Sequence, residues 1–249
     1  MAQTKIEWAT ATWNPITGCT PISEGCDHCY ARRMAQRLKG RYGYPEDYPF
    51  RPGVYHKNRM ELDNLPIGKR VFVCSMGDLF HYDVYDRHID EIFHIVFLAR
   101  QVDFIFLTKR PLMMLTYIGG MPMEALPFRH AYQNAWMGAT CENQARADER
   151  IPTLLEIPAA IRWVSCEPLL GPINILDHLG PDQINWVVIG PETGPGRREC
   201  DPEWIKDLVR QCEAAEVPYF VKAFPMPDGR ISKNMDEWPE WAQVRRYPT

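Results

Sequence analysis

Trp186-Val187-Val188-Ile189, followed at once by Gly190-Pro191-Glu192-Thr193-Gly194, carries the fold in miniature. Four bulky apolar residues in a row have no polar alternation, so the strand they form has no solvent face. Such runs belong to parallel sheets covered by helices on both sides. The same grammar recurs along the chain. Strand-like runs are predicted at 9–13, 70–75, 103–108, 135–140, 161–165 and 219–222, besides 186–190. Helical patterns fall between them, at 26–39, 86–100, 111–117, 144–156 and 202–215. Ile89, Ile92, Phe93, Val96 and Phe97 show the three-and-four spacing of a helix face. Asp201-Pro202-Glu203 is a start signal, an N-cap followed by proline at the first helical position. Strand and helix in alternation predict an α/β chain with a parallel sheet. Six or seven such units suggest a complete or partial TIM-like (β/α) barrel. A doubly wound open sheet competes with it, and periodicity does not separate the two.

Length and composition limit what this framework can do. With 249 residues, 45% of them hydrophobic, the chain can bury a substantial core. We expect a single domain over 1–249, with a core at about 8–222 and a C-terminal extension at 223–249. A formal net charge of −4 argues against a wholly basic nucleic-acid-coating protein, while leaving room for a local basic face. No apolar run reaches the length of a membrane span. The opening Met1-Ala2-Gln3-Thr4-Lys5-Ile6-Glu7-Trp8 lacks the apolar heart of an export signal. Eight cysteines without such a signal predict a reduced, cytoplasmic protein whose thiols serve metal or chemistry.

The strand ends are polar. They run into Asn14-Pro15-Ile16-Thr17-Gly18-Cys19, Ser75-Met76-Gly77-Asp78, Thr108-Lys109-Arg110, Thr140-Cys141-Glu142-Asn143 and Ser165-Cys166-Glu167-Pro168, then the Gly190 loop and Lys222. In parallel α/β folds the carboxyl ends of strands carry ligand sites. Helix caps also belong there. Yet Asp78, Lys109, Glu142, Glu167, Glu192 and Lys222 at one rim would be costly without partners. We therefore expect a polar ligand among them.

The densest chemistry is Gly18-Cys19-Thr20-Pro21-Ile22-Ser23-Glu24-Gly25-Cys26-Asp27-His28-Cys29-Tyr30. Cys19, Cys26 and Cys29 make three thiolates, whereas a structural zinc or a fully protein-ligated cluster takes four protein ligands. A three-thiolate set leaves a coordination position open. His28 as a fourth zinc ligand is disfavoured, since adjacent side chains rarely converge on one ion. Cys74 and Cys212 read as small buried apolar residues, and Cys200 as a loop residue. Cys141 and Cys166 sit at adjacent strand ends and are candidate hydrogen-atom donors or ligands of a second metal, with ordinary packing as the alternative. His81 points to the site; His88 and His94 read as helix decoration. The segment 32–59 mixes Arg and Lys with Tyr42, Tyr44, Tyr48 and Tyr55. That mixture suits phosphates and stacked bases, or simply a solvated loop.

Several blocks resemble a known family. Trp13-Asn14-Pro15-x-Thr17-Gly18-Cys19-x6-Cys26-x2-Cys29-Tyr30-Ala31, Ser75-Met76-x-Asp78-Leu79-Phe80-His81, Leu107-Thr108-Lys109-Arg110-Pro111, Ala147-Asp148-Glu149-Arg150-Ile151-Pro152 and Glu167-Pro168-Leu169-Leu170-Gly171-Pro172 occur in family order. They resemble a radical S-adenosylmethionine (SAM)-like family encoded by phages and mobile elements, the DUF5131 type. The resemblance implies a radical SAM barrel and a [4Fe–4S] cluster on Cys19, Cys26 and Cys29. It implies SAM on the open iron, reductively cleaved to a 5′-deoxyadenosyl radical that takes hydrogen from a substrate. Ser75, Gly77 and Asp78 would meet the methionyl amino group and Lys109 a carboxylate. Glu142 would face the ribose and the backbone of Gly190 to Gly194 the adenine, with Thr140 and Glu192 also among the cofactor-binding residues. An external flavodoxin- or ferredoxin-like protein would donate the electron. The substrate class expected is a nucleic-acid base or nucleotide, with a peptide or small metabolite as the alternative. A non-catalytic iron–sulfur or zinc protein of phage–host conflict is the second functional class. The chain departs from the family at Gly190-Pro191-Glu192-Thr193-Gly194-Pro195, where relatives read Gly-Gly-Glu-Ser-Gly-Pro. It departs again at Lys222-Ala223-Phe224-Pro225, where they read Lys-Gln-Trp-Gly.

Overall fold

Strand and helix alternate along the chain as the apolar runs predict. The computed structural model describes residues 2–60, 68–120 and 132–248. Contacts divide the chain into two compact units, Met1–Met137 with Ile157–Ala160, and Gly138–Glu156 with Ile161–Thr249.

In the first unit, β1 (Ala2–Gln3), β2 (Ala11–Trp13), β5 (Arg70–Val73) and β6 (Asp103–Thr108) lie side by side in that order. Only the β1–β2 pairing is antiparallel; β2, β5 and β6 run parallel, with Ala11 opposite Val71 and Val71 opposite Phe104. A small antiparallel pair, β3 (Ile16–Thr17) with β4 (Val54–Tyr55), was not anticipated. Two residues per strand give no periodicity to read. This pair ties the fifties segment to the cysteine loop, where the Cys19 N–H donates to the Phe50 carbonyl at 3.4 Å.

Among the described residues that unit also holds three α-helices, α1 (Tyr30–Arg37), α2 (Asp86–Leu98) and α3 (Pro111–Gly119). The buried face of α2 is Ile89, Ile92, Phe93 and Val96, and the Phe93 ring stacks on Phe106 of β6 at 5.2 Å. Burying such a ring stabilises by roughly 2–3 kcal/mol. Phe97, expected on that face, is 39% exposed instead. It sits at the margin of the stripe, where the Arg100 guanidinium covers its ring at 4.3 Å. The helix expected from residue 26 begins at Tyr30. Cys26 N–H to Ser23 O and Cys29 N–H to Cys26 O close short turns that use these residues before the α-helix starts. Cys74 lies just past β5 rather than inside it, buried, with a left-handed φ of 56°.

Strand β7 (Ala135–Thr140) carries the chain from the first unit into the second. There β8 (Ile161–Cys166), β9 (Trp186–Ile189) and β10 (Tyr219–Val221) run parallel, with Val164 opposite Val187 and Val187 opposite Tyr219. All four residues of β9 are buried, as their unbroken hydrophobicity requires. Helices α4 (Gln144–Glu156) and α5 (Pro202–Ala214) belong to this unit. Asp201 caps α5 as expected, accepting from the Glu203 N–H at 2.9 Å. The C-terminal residues add a short antiparallel pair, β11 (Phe224–Pro225) and β12 (Ile231–Ser232).

Candidate functional site

In the first unit the carboxyl ends of β2, β5 and β6 deliver polar groups to the cysteine loop. Asn14, just after β2, accepts at Oδ1 from Ser75 Oγ at 3.1 Å and from the Met76 N–H at 2.9 Å. The loop carrying Cys19 lies against the turn after β5. The Gly18 N–H donates to the Met76 carbonyl at 2.9 Å, and the Asp78 N–H returns to Gly18 at 3.4 Å. This approach demands glycine on both sides. A Cβ on Gly18 would stand 1.7 Å from the Arg51 carbonyl oxygen, at a φ of +88°, and one on Gly77 would stand 2.9 Å from Gly18 backbone.

Asp78 and Arg110 form the centre. Both side chains are 7% exposed and pair at 3.0 Å. Thr108 Oγ1 donates to the Asp78 carboxylate at 2.8 Å and accepts from the Arg110 N–H at 2.9 Å. The Phe80 N–H supplies a further donor at 3.1 Å. Arg110 Nη1 also donates to Cys19 Sγ at 3.3 Å, while Nη2 donates to the Thr20 carbonyl at 2.9 Å and to its Oγ1 at 3.1 Å. Beyond Thr20 stands His81, with Nε2 at 2.7 Å from Oγ1. The His81 Nδ1 accepts from the Asp83 N–H, so the neutral ring carries its proton on Nε2 and donates to Thr20. Burial, aided by Arg110, lowers the proton affinity of His81.

The thiols are reduced and half-buried. Cys19 and Cys29 pack on a small apolar cluster of Ala31, Ala35, Tyr44 and Phe50. Burial, together with the charge of Asp78, pushes the Cys19 thiol up to about 11, with Arg110 opposing; Cys26 is close enough to add to the rise. Among the described residues no three His, Cys, Asp or Glu side chains stand in metal-coordinating geometry. The donor chemistry nonetheless fits a soft metal cluster, with three thiols, no disulfide and a guanidinium on one sulfur. Tyr30, next to the last cysteine, is 50% exposed and its hydroxyl donates to the Ser75 carbonyl.

The expected rim of unpartnered charges is corrected. Asp78 pairs with Arg110. In the second unit, Glu142 pairs with Arg150 at 2.7 Å, Glu192 with Arg198 at 2.5 Å, and Glu167 with Lys222. The counter-ions lie inside each unit, so burial of these carboxylates does not call for a ligand. Lys109 is the exception, half-buried with no hydrogen-bond or ion-pair partner among the described residues. Glu142 is completely buried and Thr140 gives its carbonyl to Arg150 at 2.7 Å, which makes the pair part of the packing beneath α4 rather than an open ribose site. Gly190 uses both its backbone groups, on the Cys166 carbonyl and the Leu169 N–H. Cys141 and Cys166 are also completely buried. Cys166 senses Cys141 and Cys212, and burial raises its thiol far above the usual range. Cys212 lies on α5, so this side chain faces the helical layer.

Lys109 reads as the site cation from sequence, yet its neighbour Arg110 is the one at the centre. Two-residue periodicity was the usable signal. Thr108 and Arg110 share one side of the extended chain, and Thr108 contacts Asp78. His88, read as helix decoration, is buried and stacks on Tyr55 at 4.0 Å. Of the four tyrosines in the basic segment, Tyr42 and Tyr48 are exposed while Tyr44 is buried.

Fold and site together define a parallel α/β protein with a reduced thiol set under a buried arginine–aspartate pair. The chain belongs to the DUF5131 family, described as proteins of unknown function, which it matches over residues 3–236. This agrees with the family read from the motif blocks. No curated protein and no solved structure matches the chain.

Proposed function

We propose that the chain is a radical SAM enzyme on a partial (β/α) barrel of that type, working in the cytoplasm with a flavodoxin- or ferredoxin-like electron donor. The observation that carries this reading is Cys19, with Cys26 near it and Cys29 on the same apolar cluster, held against the Arg110–Asp78 pair at the ends of β2, β5 and β6. A [4Fe–4S] cluster on the three thiols supplies, when bound, the electron that splits SAM and yields a hydrogen-abstracting 5′-deoxyadenosyl group.

The chain's own residues bind and orient. Lys109 offers an uncommitted cation for the methionyl carboxylate. Asp78 already accepts from Thr108, Phe80 and Arg110, so its part is to hold Arg110, and the methionyl ammonium falls to the turn of Ser75 and Gly77. Exposed Tyr42 and Tyr48, among the exposed Arg37, Lys39 and Arg41, support a nucleic-acid base or nucleotide as substrate.

Anaerobic purification and reconstitution test the reading. The expected result is about four irons and four sulfides per chain, and 5′-deoxyadenosine released from SAM under reduction. One zinc per chain with no iron uptake overturns it.

A further inference from the structure

We infer that Arg110 is a positioning residue that sets the reduction potential of the metal centre through its hydrogen bond to the Cys19 sulfur, with Asp78 as the counterweight. The inference rests on the cluster reading above and adds a regulating element to it. Arg110 splits one Nη between two acceptors, Cys19 Sγ at 3.3 Å and the Asp78 carboxylate Oδ2 at 3.0 Å. Its other Nη is anchored on Thr20, the residue directly after the ligand. The guanidinium therefore cannot swing away without breaking four contacts, and it is almost wholly shielded from water.

The consequence follows from charge. Reduction adds one negative charge to a cluster, and hydrogen bonds to cluster sulfurs together with nearby charge are what tune its potential. A cation fixed on a ligand sulfur favours the reduced state, and a carboxylate on that cation offsets part of the effect. Low dielectric around the pair strengthens both. Because the two groups act with opposite signs, removing them one at a time must move the potential in opposite directions. A merely structural role has no such signature.

The experiment is a redox titration of reconstituted protein followed by electron paramagnetic resonance, with iron and sulfide counted in each sample. Arg110→Gln is expected to lower the midpoint potential, Arg110→Lys to lower it less, and Asp78→Asn to raise it. Arg110→Gln leaves the Asp78 charge without its counter-ion in the interior, so if that variant does not fold, the double variant Arg110→Gln/Asp78→Asn, which buries no orphan charge, is read against Asp78→Asn alone and is expected to lie below it in potential. Full iron content with a potential unchanged in the Arg110 variants, or shifted the same way in the Arg110 and Asp78 variants, overturns the inference and leaves the cluster reading standing. Wild-type protein that takes up no iron overturns both.

Discussion

Gly18 shows how much one backbone position decides. Its left-handed φ and the Arg51 carbonyl 1.7 Å from where a Cβ would sit mean that no side chain fits without moving the cysteine loop. Gly18→Ala is therefore expected to destabilise by about 2 kcal/mol or more, read from the urea midpoint. Stability equal to wild type would show that the loop yields easily. Arg110 makes the complementary point. Beside Lys109 in sequence it reads as one more surface cation, yet it is buried and bonds to a thiol, a carboxylate and a threonine. Type and neighbours along the chain did not distinguish the two; side of the strand did.

Short elements govern the surroundings of the thiols. Strands β3 and β4 are joined across their ends by Thr17 Oγ1 and His56 Nε2 at 2.8 Å. Burial, with Arg59 nearby, holds His56 down to about 4 against its ordinary 6.5. Between these values the unfolded chain binds a proton that the folded chain refuses. The contribution of His56 is thus complete above about pH 6.5 and is lost as pH falls towards 4. His56→Gln keeps a polar partner for Thr17 but cannot titrate. Its urea midpoint should fall less steeply than wild type between pH 7 and 4.5, the remaining slope coming from groups such as His81 and His88. Parallel slopes in the two proteins would reject this account.

Across the molecule the eight thiols divide by depth: Cys19, Cys26 and Cys29 are half-buried, and Cys74, Cys141, Cys166, Cys200 and Cys212 are buried. Native metal-free protein, treated anaerobically with iodoacetamide at pH 8 and mapped by mass spectrometry, should label Cys26 and Cys29 first. Cys19 should follow, because its thiol is held up at about 11. The five buried thiols should react only after denaturant. Early labelling of Cys141 or Cys166 would contradict their complete burial and restore them as accessible hydrogen donors.

The elements themselves were legible along the chain. The strands at Asp103–Thr108 and Ala135–Thr140 and the helix at Gln144–Glu156 begin and end where apolar runs and polar punctuation place them, because burial on both faces needs unbroken hydrophobicity. The cysteine spacing and the polar strand ends were equally visible, as was family membership. Hidden from any linear reading was the pairing of charge. Asp78 finds Arg110 at a separation of 32 residues, and Glu167 finds Lys222 at 55. A carboxylate's neighbours in space depend on strand order and on the direction each side chain takes from the backbone. Ligand sites and internal ion pairs draw on the same residue types, and folding alone assigned these carboxylates to the second.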